Sequence, residues 1–135
     1  MRDILFRGKR TDINKFVYGY LYGVYDGYCD ILDPDKGIYS VIKDTVGQYI
    51  EKEDKEEISI FEGDILQSLH FKEGNKKHYL IHYVAWNEEM MTWYAVNKDS
   101  KDLKDGCCPL WVYLKNSKEI KIIGDIFDNP ELLGK

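Results

Sequence analysis

The sequence predicts a mostly β fold, a small barrel or curled sheet, on three observations. Tyr, Val, Ile and Trp fill short runs with a period of two. Turn residues punctuate those runs at close intervals. Only one short segment, at the C-terminus, carries helix-start signals. The 135 residues are one domain's worth of material, with two β subdomains expected at about 1–50 and 51–135.

The elements follow in order. Leu5 and Phe6 precede a polar stretch from Gly8 to Lys15. Phe16 to Tyr25 then reads as a strand, with Tyr18, Tyr20 and Tyr22 on one face and Val17, Gly19, Leu21 and Gly23 on the other. Asp26-Gly27 predicts a type I′ hairpin turn, and Tyr28 to Leu32 the returning strand. Asp33 to Gly37 is a second turn. Ile38 to Ile42 and Val46 to Ile50 are further short strands. Every residue from Glu51 to Glu57 is charged, which predicts a solvated loop or short helical turn.

In the second half, Glu62-Gly63-Asp64 is expected to turn the chain into a strand from Ile65 to Phe71. Gly63 supplies a backbone geometry closed to other residues, and Asp64 bonds nearby N–H groups. Lys72 to Asn75 turns the chain again. Tyr79 to Trp86 and Met91 to Val96 are strands around Asn87-Glu88-Glu89. Lys98 to Gly106 is a charged loop. Leu110 to Leu114 and Ile120 to Phe127 are predicted as the last strands, with a hairpin turn at Lys115 to Lys118. Asn129 and Pro130 suit a helix start for a final turn. Gly47 and Gly124 are expected to mark a close approach of strands or a bulge.

Three segments resemble the YopX family of phage and prophage proteins. They are Met1 to Arg7 with Val17-Tyr18-Gly19; Thr45 to Tyr49 with Ile60 to Ile65; and Ile123 to Leu133. They occur in the family's order and cover nearly the whole chain. The resemblance implies a mostly β fold with SH3-like barrel character and an origin in a phage or prophage, in the cytoplasm of a bacterial host. It implies no activity and transfers no site residue.

Composition narrows the function classes. A net charge of −5, with 19 basic against 24 acidic residues, argues against a general nucleic-acid binder, which needs a basic face. No apolar run approaches the roughly 20 residues needed to span a bilayer. The first residues are charged at once, without an apolar signal core. A soluble cytoplasmic protein with no membrane partner is expected. Cys29 and the adjacent Cys107 and Cys108 form no disulfide framework and no C-x-x-C, so three reduced thiols are expected.

The candidate chemistry is sparse. Of His70, His78 and His82, the last two lie four apart on a predicted strand, about 13 Å by strand rise, too far to share a metal, and a structural or surface role is expected. The carboxylate pairs Glu62 with Asp64, Glu88 with Glu89, and Asp125 with Asp128 read as turn and surface residues. Serine-nucleophile and phosphate-loop motifs are absent from the sequence. No catalytic residue, metal or cofactor is expected. The tyrosines at 18, 20 and 22 suit core packing first, a protein or subunit interface second, since Tyr offers large contact area at low entropic cost, and base stacking on nucleic acid third. Over Phe16 to Leu32 the only charges are Asp26 and Asp30, which disfavours phosphate there. The expected function is a non-enzymatic module that binds a protein partner or itself. The runner-up is a nucleic-acid accessory factor using Lys72, Lys76 and Lys77 near His70 and His78; a small hydrolase comes third.

Overall fold

A computed structural model describes residues 5–100 and 107–134. The expectations for Met1 to Ile4 and for the loop over 101–106 lie outside the described residues. The chain divides into two compact units, Met1–Lys52 and Glu53–Lys135.

The first unit holds strands β1 (Phe6–Lys9), β2 (Phe16–Val24), β3 (Tyr28–Asp33), β4 (Gly37–Ile42) and the start of β5 (Gly47–Glu53), in the spatial order β4-β3-β2-β1-β5, all antiparallel. The sheet curls: Arg10, just beyond β1, makes an isolated bridge to Val41 of β4. Cys29, Ile31 and Val41 are buried in the concave side, with Phe6, Val17 and Val46 packed against them. No closed barrel is found among the described residues; the sheet remains open. A close approach helps β2 and β3 to meet. A Cβ on Gly19 would sit 2.1 Å from the carbonyl oxygen of Leu32, a backbone atom that cannot step aside.

Two expectations for this unit are corrected. The Tyr25–Tyr28 turn is closed by a Tyr25 N–H to Tyr28 O bond of 2.9 Å, but only Gly27 has positive φ, at 83°. A type I′ turn needs it at both central positions, and Asp26 as an L-residue keeps the cheaper geometry. The alternation in β2 also breaks. Leu21 faces Ile31 and Gly23 faces Asp30, so Tyr22 occupies a bulge without a partner opposite. Tyr18 and Tyr20 keep their common face, and Tyr22 leaves it.

The second unit contains β6 (Ser59–Phe61), β7 (Asp64–Glu73), β8 (Lys76–Asn87), β9 (Thr92–Asn97), β10 (Cys108–Pro109) and β11 (Lys118–Asp125). Five of them form an antiparallel sheet in the order β10-β9-β8-β7-β11. Ile60, Ile65, Leu66 and Val84 are almost wholly buried. A 3-10 turn at Pro130–Leu133 ends the described chain, with Pro at its start as expected.

Leu110–Asn116 is helix α1, not the expected strand, and Lys115 to Lys118 is not a hairpin turn. Trp111, Val112 and Tyr113 are β-formers, but Leu110 and Tyr113, three apart, are both 4% exposed while Trp111 is 65% exposed. One buried stripe at helical spacing outweighs propensity. Pro109, with φ fixed by its ring, stands directly before it.

The charged run Glu51 to Glu57 also departs from expectation. β5 continues to Glu53, and Asp54 is buried. Its carboxylate accepts backbone N–H bonds from Glu56 (2.9 Å), Ile58 (3.0 Å) and, 68 residues on, Ile122 (3.0 Å). Burial pulls its pKa up, but those three donors, with Lys121 nearby, win and hold it below the usual value.

Candidate functional site

The outer face of the curled sheet carries two apolar rows with a polar row between them. Cross-strand partners share a face, so the register sets Tyr20, Leu32 and Ile38 in one row across β2, β3 and β4. Tyr20 is 48% and Ile38 52% exposed. The next row is polar, with Ser40 Oγ donating to Asp30 at 2.9 Å. Beyond it Tyr28 pairs with Ile42, and the Tyr25 ring stacks on Tyr28 at 4.8 Å. Of the expected interface residues, Tyr18 and Tyr22 are also exposed. The alternative of internal core packing for Tyr18, Tyr20 and Tyr22 is not what this structure has.

In the second unit the expected turn residues meet in one knot. Gly63 has φ of 91°. Its N–H donates to Val84 O and its carbonyl accepts from Ile126 N–H, both at 2.9 Å. Asp64 accepts from Phe61 N–H at 2.8 Å. Asp125, the strand partner of Asp64, accepts from Phe127 and Asp128 N–H at 2.9 and 2.8 Å. Gly124 lies beside a bulge in β11 and against the Asn129 side chain, whose Oδ1 accepts from Asp125 N–H at 3.1 Å. Gly47 is buried opposite Arg7. Glu88 and Glu89 are exposed in the turn after β8.

His70 and His82 line one cleft, and the Phe71 ring touches both His70 and His78. His82 is 5% exposed and packs its ring on Tyr113 at 4.7 Å. Ser68, His82, Cys108 and Tyr113 line one cleft of about 310 Å³ beneath α1. Burial, aided by the adjacent Cys107, raises the Cys108 thiol pKa; burial likewise raises the Tyr113 phenol. A thiol nucleophile needs the opposite shift. Cys29, Cys107 and Cys108 form no disulfide. Among the described residues no group of three His, Cys, Asp or Glu side chains could hold a metal.

The lysines at the tip of the β7–β8 hairpin come together. Lys72 faces Lys77 and Glu73 faces Lys76 across the ladder. Lys77 Nζ donates to Glu119 at 3.0 Å. His78 sits 3.3 Å from Glu73, and its ring stacks on Phe71 at 4.3 Å. Phe71, Lys118 and Glu119 were not singled out by sequence. Phe71 lies beside Lys72 on β7 itself; the pairing of β11 with β7 brings in Lys118 and Glu119, and no local signal announces it.

Comparison with known families bears on the whole chain. A family model described as YopX protein matches residues 6–134. The chain belongs to the YopX family. No curated protein matches it. No helix among the described residues is long and apolar enough to cross a membrane. The YopX match spans both units, so the apolar face, the glycine knot and the lysine tip all fall inside it.

Proposed function

We propose that this YopX protein is a non-enzymatic interaction module, prophage-derived and working in the cytoplasm of a bacterial host, whose curled first sheet with barrel character docks a protein partner or a second copy. The observation that carries the reading is the Tyr20–Leu32–Ile38 row, with Tyr20 and Ile38 exposed, on an ordered antiparallel sheet. Aromatic and aliphatic side chains held on rigid strands give contact area at little entropic cost. Asp30 beside them makes the face unsuited to phosphate. The raised Cys108 thiol disfavours one enzymatic alternative, a thiolate nucleophile at that position.

The test is a Tyr20→Glu, Ile38→Glu double variant, compared with wild type by light scattering, cross-linking with mass spectrometry, and thermal melting. Loss of a dimer or of a specific cross-linked partner, with the melt retained, supports the reading. A wild-type protein that stays monomeric and forms no cross-link on this face overturns it.

A further inference from the structure

We propose that the cleft between the β7–β8 hairpin, the end of α1 and the start of β11 binds one nucleotide unit, its base against an aromatic ring and its phosphate on lysine. The cleft measures about 460 Å³, within the roughly 300–1,000 Å³ of small-ligand sites. Its lining is Leu69, His70, Phe71, Lys72, Asn116 and Lys118. This inference is independent of the apolar face in the first unit.

Three features carry it. The first is a ready stacking element. Phe71 is pre-stacked on His78 with 12° between ring planes, meets the His70 ring edge-on at 5.2 Å, and is still 48% exposed. An exposed ring already fixed by a neighbour stacks a base with little ordering cost. The second is charge. The chain is acidic overall, at −5, yet Lys55, Lys72, Lys76, Lys77 and Lys118 gather at this end against Glu73 and Glu119. Glu119 is committed to Lys77, and Glu73 lies against His78. Lys72 and Lys118, both lining the cleft, come from strands 46 residues apart and meet only because β11 pairs with β7. The third is polar hydrogen-bonding capacity. Asn116 lines the same cleft, although its Nδ2 also donates to Val112 O at 2.8 Å, leaving its side-chain oxygen to read a base edge.

A ring plus a phosphate is the shared chemistry of a free mononucleotide and of one residue in a single strand. The experiment separates them. Fluorescence anisotropy follows a labelled oligodeoxythymidine over a salt series, and unlabelled thymidine monophosphate serves as competitor. One to two phosphate contacts, the unit's own and the one flanking it in a strand, predict a slope of log K against log salt of about −0.7 to −1.4 for a single strand. Phe71→Ala should weaken binding about 5- to 150-fold. Lys72→Ala should reduce the slope by about 0.7. Lys36→Ala, on a turn of the first unit, should change neither. Melting checks that each variant folds. Competition by the mononucleotide at concentrations near the oligonucleotide Kd assigns the site to a free nucleotide; weak competition assigns it to a strand. Absence of binding by both ligands at low salt overturns the proposal. So does binding that Phe71→Ala leaves unchanged, or that Lys36→Ala weakens as much as Lys72→Ala.

Discussion

Replacing Asp54 tests whether one buried carboxylate organises the charged segment. Its two oxygens hold three backbone N–H groups, and the third donor, Ile122, belongs to β11. A hydrogen bond to a charged group contributes about 1.5–3 kcal/mol, and an abandoned buried donor costs about 1–3 kcal/mol. Glu56 and Ile58 are exposed enough for water to replace the carboxylate, whereas Ile122 is half-buried in a ladder. Asp54→Ala should therefore cost about 2–4 kcal/mol rather than three full bonds. Asp54→Asn keeps one acceptor and points an NH₂ at a donor, for about 1–3 kcal/mol. The pH dependence separates charge from shape. The folded-state pKa of Asp54 lies below its ordinary value. Its stabilisation is then complete above the unfolded pKa of about 3.9 and is lost as pH falls through the lower folded value. Urea unfolding should show a wild-type advantage over Asp54→Asn at pH 7 that narrows toward pH 3. An Asn variant as stable as wild type at pH 7, or a gap of equal size at both pH values, would refute the reasoning.

Other outcomes follow from the same geometry. Gly63→Val should destabilise by about 1–3 kcal/mol, because φ of 91° is an outlier for a β-branched residue; a thermal melt equal to wild type would count against it. Gly19→Ala should cost about 3 kcal/mol or more, since its Cβ meets a backbone carbonyl, and chemical denaturation would read this directly. With its thiol pKa raised, Cys108 should alkylate with iodoacetamide at a rate still climbing above pH 9; a plateau near neutral pH, absent in Cys108→Ser, would reveal an activated thiolate. Elemental analysis of protein purified without chelator should find no stoichiometric zinc or iron; one equivalent lost on His78→Ala would reverse the reading of the histidines.

Much of the strand pattern was legible because each signal was local. β2, β4, β7 and β8 are bounded by turns at Gly27, Gly37 and Gly74, all with positive φ, although bulges interrupt β2 and β7. Where the sequence misled, the deciding contact was distant or the segment too short. Seven residues, Leu110–Asn116, hold barely two helical turns, so their period cannot compete with the β propensity of Trp, Val and Tyr. Asp54 hides among six other charged residues, and its role depends on Ile122. One signal was present: a short Asp side chain two residues before another backbone N–H suits a local turn, where Glu does not reach so well. The bulge at Tyr22 has no sequence mark beyond the neighbouring Gly23. The lysines of the β7–β8 hairpin were visible as a cluster, but not the cleft they share with Lys118.

The knot around Gly63 explains why the segments that resemble the family belong together without invoking chemistry. Gly63 and Asp64 lie some 60 residues before Gly124, Asp125 and Asn129, yet the Ile126 N–H bond to Gly63 O joins them, and Asp64 sits opposite Asp125 in the ladder. Two buried carboxylates facing each other across strands invite an acid–base reading. Their oxygens argue otherwise. Asp64 Oδ2 accepts from the backbone of Phe61, and Asp125 Oδ1 from Phe127 and Asp128, so each directs an oxygen at a turn of its own chain. A catalytic acid–base pair must direct an oxygen across a cleft at a substrate. Each carboxylate here neutralises N–H groups that a tight turn leaves without ladder partners, a cost the fold would otherwise carry at every reversal. Glycine at 63 permits the turn, the aspartates satisfy it, and Asn129 locks the second turn against the first residue of its own reversal. Those residue types meet what the two turns require at those positions.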